Sequence, residues 1–284
     1  MRNARLIQVA LPAMLSMTLL VGCSLMALDD FSGGESAGSD GSVSDAGSPS
    51  TDAAVDGSVL PDARDADAMP APFCESLSPQ PGVCLDFDGE PAFGQWVVQN
   101  AKGAKVEASG DAFVSAPRAG HFTRSAGAGP GGIMVLRYAL VTPGAPEELV
   151  LEADVRVDLT TPDDELDVMA ATFPVGGDSL ELQLSAVDGM FWLQKWSFFS
   201  DGDAVGEDFS FQRPVTMGKW QHLRFTLKLG AAGKGHLEID GVPAPEVSFT
   251  LPSGIGSPTI ELGDGYLAGG ASAFYMDNFT ATSK

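Results

Sequence analysis

Residues 149 to 158 read LVLEADVRVD, so that Leu151, Ala153, Val155 and Val157 alternate with Glu152, Asp154, Arg156 and Asp158. A two-residue repeat of apolar and polar side chains separates them onto two faces only if the backbone is extended. Similar runs occur at 132–140, 165–173, 179–187, 190–199, 220–229, 235–240, 258–263 and 273–281. Between them stand Gly, Pro and the pairs Asp188-Gly189, Asp201-Gly202, Asp240-Gly241 and Asp264-Gly265, which mark turns. No stretch of a dozen residues shows helical periodicity. Many short strands without helices must bury their apolar faces against one another, which gives an all-β sandwich of two antiparallel sheets in jelly-roll style. The stretch 73–284 is long enough for one such domain and short for two.

The N-terminus is a different kind of sequence. Arg2 and Arg5 precede an uncharged apolar stretch from Leu6 to Val21, which runs into Leu20-Val21-Gly22-Cys23. This resembles a bacterial lipoprotein signal and its lipobox. The resemblance implies a signal peptide over 1–22, cleavage before Cys23, and lipidation of Cys23. Several acyl chains on one residue hold a protein to a membrane far better than one. The expected location is then the membrane, at the outer membrane of a Gram-negative cell.

Three cysteines are present in all. With Cys23 given to lipid, Cys74 and Cys84 are left as an even pair in an exported chain, which favours a disulfide. On the chain-entropy model a loop of that size is worth roughly 3 kcal/mol. The spacing, with no histidine nearby, argues against zinc. Between Cys23 and this staple, residues 23–72 are dominated by Ser, Gly, Ala, Asp and Pro. Such a composition buries too little apolar surface to offset its ordering entropy, so a disordered acidic linker is expected. As a flexible coil it would reach about 35 to 40 Å.

Two segments carry a fold-level resemblance. Gly218-Lys219-Trp220-Gln221-His222-Leu223-Arg224-Phe225, followed by Gly235-His236-Leu237-Glu238-Ile239-Asp240-Gly241, resembles the strand and hairpin of laminin G-like and other concanavalin A-like lectin and glucanase domains. Ala273-Phe274-Tyr275-Met276-Asp277-Asn278-Phe279-Thr280 is similar to their last strand, and Cys84-Leu85-Asp86-Phe87-Asp88-Gly89 to their first. The resemblance implies a concanavalin A-like jelly roll whose first and last strands pair, and it places Trp220 in the core. It also implies a structural calcium where those strands meet, with Asp88, Asp277 and Asn278 as candidate oxygen ligands. No cofactor is otherwise required.

Glu165-Leu166-Asp167-Val168 resembles the opening of the glucanase strand E-x-D-x-E or E-x-D-x-x-E, in which Glu165 matches the nucleophile and Asp167 the residue between the two glutamates. The places for the second glutamate hold Met169 and Ala170. Retaining glycosidases need two carboxyl groups, one to attack and one to protonate the leaving oxygen. Glu165 and Asp167 are therefore candidate catalytic residues on a motif that lacks its proton donor, and the strand is expected to present an acidic solvent face. Gly177-Asp178-Ser179-Leu180 spells an esterase signature, but the alternating run after it is strand and no histidine follows an aspartate at the required spacing.

The binding candidate lies in Phe191 to Phe199. As a strand it puts Trp192, Gln194 and Trp196 on one face with Phe198. Indole faces stack on sugar C–H surfaces and an amide pairs with hydroxyls, although the same aromatics would also suit a core. Sixteen bases against 38 acids give a net charge of −22, which excludes nucleic acid and leaves a neutral glycan or an envelope protein as partner. The sequence thus points to a tethered, non-catalytic carbohydrate-binding or adhesion lipoprotein. A glycoside hydrolase or lyase, and a protein-interaction module, are the other readings it leaves open.

Overall fold

The computed structural model describes residues 72–125, 132–142, 144–160, 165–267 and 270–284. The signal peptide, Cys23 and the linker up to 71 lie outside the described residues, and among those described no helix is long and apolar enough to cross a membrane. One helical turn, α1 (Phe73–Ser76), opens the domain. Strands follow as β1 (Val83–Leu85), β2 (Val97–Ala101), β3 (Ala104–Ser109), β4 (Ala119–Arg124), β5 (Gly132–Ala139), β6 (Glu148–Thr160), β7 (Glu165–Val175) and β8 (Asp178–Val187). They continue as β9 (Met190–Phe198), β10 (Ala204–Pro214), β11 (Trp220–Lys228), β12 (Ala232–Ile239), β13 (Val242–Pro243), β14 (Val247–Thr250), β15 (Thr259–Leu267) and β16 (Ser272–Ser283).

A nine-stranded sheet runs β13-β12-β11-β6-β16-β4-β3, with β1 added to β16 and β14 to β12. A seven-stranded sheet runs β10-β9-β8-β7-β15-β5-β2. Every pairing is antiparallel, as expected when tight turns rather than crossover helices connect strands. First and last strands do meet, with Leu85 opposite Phe279. Cys74 and Cys84 are joined in a disulfide, their Cα atoms 5.8 Å apart, and this ties α1 to β1.

The inner faces of the two sheets form one core. Leu151, Ala153, Val155 and Val157 of β6 and Leu223, Phe225 and Leu227 of β11 come from one sheet. Leu180, Leu182 and Leu184 of β8 and Phe191 and Leu193 of β9 come from the other. Asp188-Gly189 and Asp240-Gly241 form hairpin turns in which both residues have positive φ, the conformation such tight turns need. Asp264-Gly265, expected as a turn, instead lies within β15, where the pairing to β5 slips between Asp264 and Leu267. The slip follows Gly263, whose φ of +92° and close approach to the Met134 carbonyl oxygen exclude a side chain.

Trp220 is not in the core. On β11 the inward positions are odd-numbered, so Trp220 faces outward with His222 and Arg224, 6.4 Å from the Tyr275 ring. That outer face carries paired charges, including Arg224 with Glu152 and His222 Nδ1 with Asp154 at 3.0 Å. It is an ordinary solvated face.

Candidate functional site

The outward face of the seven-stranded sheet is chemically different. Asp167, Gln183, Ser185, Gln194 and Glu261 all point away from the core, yet each is nearly buried, between 0 and 8 % exposed. Buried polar groups must find partners, and these find one another. Gln183 Nε2 donates to Glu165 Oε1 at 3.0 Å, to Asp167 Oδ1 at 2.9 Å and to Gln194 Oε1 at 2.5 Å. Ser185 Oγ donates to Asp167 Oδ1 at 2.6 Å and lies 3.1 Å from Gln194 Oε1. The sequence expectation of an acidic solvent face on Glu165 and Asp167 is therefore corrected. Alternation identifies the outward side of a strand but not the neighbours that cover it.

A bulge explains how β7 delivers these carboxylates. Its register against β8 shifts between Asp167 and Met169, and Val168 and Met169 both reach the core. An extra residue bends a strand and re-aims the side chains beside it. Met169 faces inward, while Ala170 faces outward between Gln183 of β8 and Glu261 of β15. The carboxylate missing from 170 is thus matched by one from the adjacent strand.

Glu261 is held by Arg137 Nη2 at 3.0 Å and by Thr172 Oγ1 at 3.2 Å. Glu181, one step along β8, has no such clamp among the described residues. Burial pushes its carboxyl up to about 7, the negative charge of Glu261 adds to this, and Arg137 only partly opposes it. Burial also raises Glu165, against hydrogen bonding with Gln194 and Asp167 and with added repulsion from Asp208. Sequence reading missed Glu181 and Glu261. The first sits in an ordinary alternating run, and the second is brought alongside only by the β15–β7 pairing.

Trp192, Gln194, Trp196 and Phe198 do share this face. Gln194 is buried in the amide network, and the Trp192 indole nitrogen is buried with no acceptor among the described residues. Trp196 lies across the neighbouring strand over Gly206, where a Cβ would stand 2.7 Å from its six-membered ring. Phe198 extends the platform, with ring centroids 6.4 Å apart and planes 24° from parallel, and is itself exposed. Trp196 is half-buried and Phe198 is 38 % exposed, so the core alternative does not apply to them.

The calcium candidates form a different arrangement. Asp277 accepts the Val114 and Ser115 backbone N–H groups on Oδ2, each at 2.8 Å, and the Asn278 N–H on Oδ1 at 2.8 Å. Asn278 Oδ1 accepts Ser115 Oγ at 2.7 Å and its amide donates to Asp154. Burial, with the nearby Asp88 charge, pushes Asp277 up to about 6 although these donors favour the carboxylate. Asp88 Oδ1 takes the Arg118 N–H, leaving Oδ2 buried without a donor. A calcium ion needs six or more oxygens. The Asp277 and Asn278 oxygens are already engaged by donors and leave Asp88 Oδ2 as the unengaged oxygen of the three candidates, and no group of three metal-ligating acids or histidines occurs among the described residues. The residues do not fit a calcium ion as they stand.

Comparison with solved structures supplies the fold's relatives. An endo-β-1,4-glucuronan lyase from the fungus Trichoderma reesei superposes with a TM-score of 0.56 at 12% identity, covering 72% of this chain and 96% of the lyase. An alginate lyase from Aplysia kurodai gives 0.53 at 10% identity, over 72% of this chain and 100% of that one. The fold is a concanavalin A-like jelly roll. Identity this low establishes the jelly roll and not its chemistry. No family model matches the chain, and no curated protein matches its sequence.

Proposed function

We propose that this jelly roll binds a polysaccharide on the outward face of its seven-stranded sheet, as the surface module of a lipoprotein tethered through Cys23. The observation that carries the reading is the Trp196 ring laid over Gly206 with Phe198 beside it, next to the Gln183–Gln194 amides. Flat apolar faces and adjacent hydrogen-bonding groups are the two elements that sugar recognition uses. The relatives' names, a glucuronan lyase and an alginate lyase, support polysaccharide as the ligand class.

Trp196→Ala should weaken binding to a retained polysaccharide by about tenfold or more, since one large aromatic contact commonly supplies that much. Gly206→Ala should have the same sign, because its methyl group displaces the ring. Affinity electrophoresis of both variants, with Trp220→Ala from the opposite sheet as control, checks this. Unchanged retention in Trp196→Ala would sink the proposal, and loss of retention in Trp220→Ala would move the site to the other face.

A second reading, glycoside hydrolysis, is favoured by one observation. Glu165 and Asp167 reach the same amide nitrogen, and on the same face burial pushes the Glu181 carboxyl up to about 7, so a proton-holding carboxyl stands on the face that carries the glucanase-like pair. Release of new reducing ends from a bound polymer, lost in both Glu165→Gln and Glu181→Gln, would establish it. Binding without release leaves the non-catalytic module.

A further inference from the structure

The platform formed by Trp196 and Phe198 is bordered by an unbalanced charge distribution. Glu165, Asp167, Glu181 and Glu261 occupy outward positions of β7, β8 and β15, and exposed Asp208 follows on β10, opposite Gln194. Against these five acids, Arg137 is the cation found on this face among the described residues, and Glu261 already engages it at 3.0 Å. Lys195 does not help. It sits on the opposite side of β9, in register with inward-facing Leu182, and its ammonium pairs with Glu207 at 2.5 Å.

Resting on the glycan-binding reading, we propose that the polymer recognised on the Trp196–Phe198 platform is an amine-bearing glycan, with free amino groups on some of its sugars. Crowded carboxylates in a partly dehydrated site repel one another, and an ammonium placed among them relieves the repulsion while its C–H faces rest on the indole. Glu181 and Glu165, both partly accessible, and exposed Asp208 are the groups placed to accept such ammonium hydrogens. The raised proton affinities of Glu181 and Glu165 agree with a site short of positive charge. The same distribution disfavours glucuronan and alginate, the polymers named for the structural relatives, since each repeating unit of those polymers carries a carboxylate.

The test compares four oligosaccharides of equal length on the full-length protein by isothermal titration calorimetry: glucosamine, N-acetylglucosamine, glucose and mannuronate hexamers. The glucosamine hexamer should bind about tenfold or more tightly than its acetylated counterpart, the worth of one charge-assisted hydrogen bond. That preference should shrink as salt rises from 0.05 to about 0.5 M. It should also shrink in Glu181→Gln/Asp208→Asn, which leaves the aromatic platform intact, whereas Trp196→Ala should weaken all binding. Equal binding of the glucose and glucosamine hexamers would overturn the amine assignment and leave the glycan reading standing. Tighter binding of mannuronate would do the same. An amine preference that survives the double substitution would remove it from this face, and failure of every hexamer and its parent polymer to bind would sink both proposals.

Discussion

Replacing Glu181 by glutamine should stabilise the protein above neutral pH and do little in acid. The carboxyl of Glu181 is raised from the ordinary 4.5 to about 7, by burial first and then by the charge of Glu261. Between these two values the folded protein keeps a proton that the unfolded chain has released, so folding stability falls as pH rises through that window. Below pH 4.5 both states are protonated and nothing is lost. Above pH 7 the whole cost of burying the charge is present, and glutamine removes it at nearly the same size. The expected gain is therefore near zero at pH 4 and about 3 kcal/mol at pH 8. Urea unfolding of the variant and the parent at the two pH values measures it, and a gain of equal size at both would show that charge burial is not its source.

Gly263→Ala should act in the opposite direction and at every pH. With φ at +92° the residue sits where side chains are strained, and an added Cβ would come within 2.2 Å of the Met134 carbonyl oxygen and 2.7 Å of the Phe122 ring. The first neighbour is backbone on the paired strand and the second is a fully buried aromatic of the other sheet, so neither yields cheaply. Backbone strain and overpacking together put the loss at about 3 to 5 kcal/mol. The midpoint of thermal or urea unfolding reads it directly, and a change below about 1 kcal/mol would mean that β15 can move away from β5 without cost.

How far the sequence could be read depends on how local each feature is. The alternating runs of β6, β7, β8, β9 and β11 announce themselves, because each strand's two faces are written within a few residues. Strands β2, β3 and β4 do not. Val97-Val98-Gln99-Asn100-Ala101 has exposed valines and Ala119-Gly120-His121 is too small-sided to alternate visibly. Strand β10 is an edge whose first five residues are all exposed and whose acids, Glu207 and Asp208, break the pattern; charge on an edge also discourages pairing with other chains. The placement of Trp220 shows a different limit. Its strand was legible, but which parity faced inward depended on Leu223, Phe225 and Leu227 outweighing one indole.

The site was half legible for the same reason. Trp192, Gln194 and Trp196 belong to one strand, so their shared face follows from spacing alone. The acidic character of that face comes from four strands. Ala170 looked like a lost glutamate along the chain, while across the sheet it stands beside Glu261. Gly206 looked like an incidental glycine, and its role exists only through its register with Trp196. Features that depend on pairing between distant segments require the topology before they can be recognised.

Hydrogen exchange of the full-length protein, free and with the polysaccharide it retains most strongly, tests the central claim most directly. Exchange should slow in β8, β9 and β10, around Glu181 to Gln194 and Trp196 to Asp208, with β6, β11 and β12 unchanged. Protection centred on β11 and the outer face around Trp220 and His222, with none on β8 to β10, would contradict it.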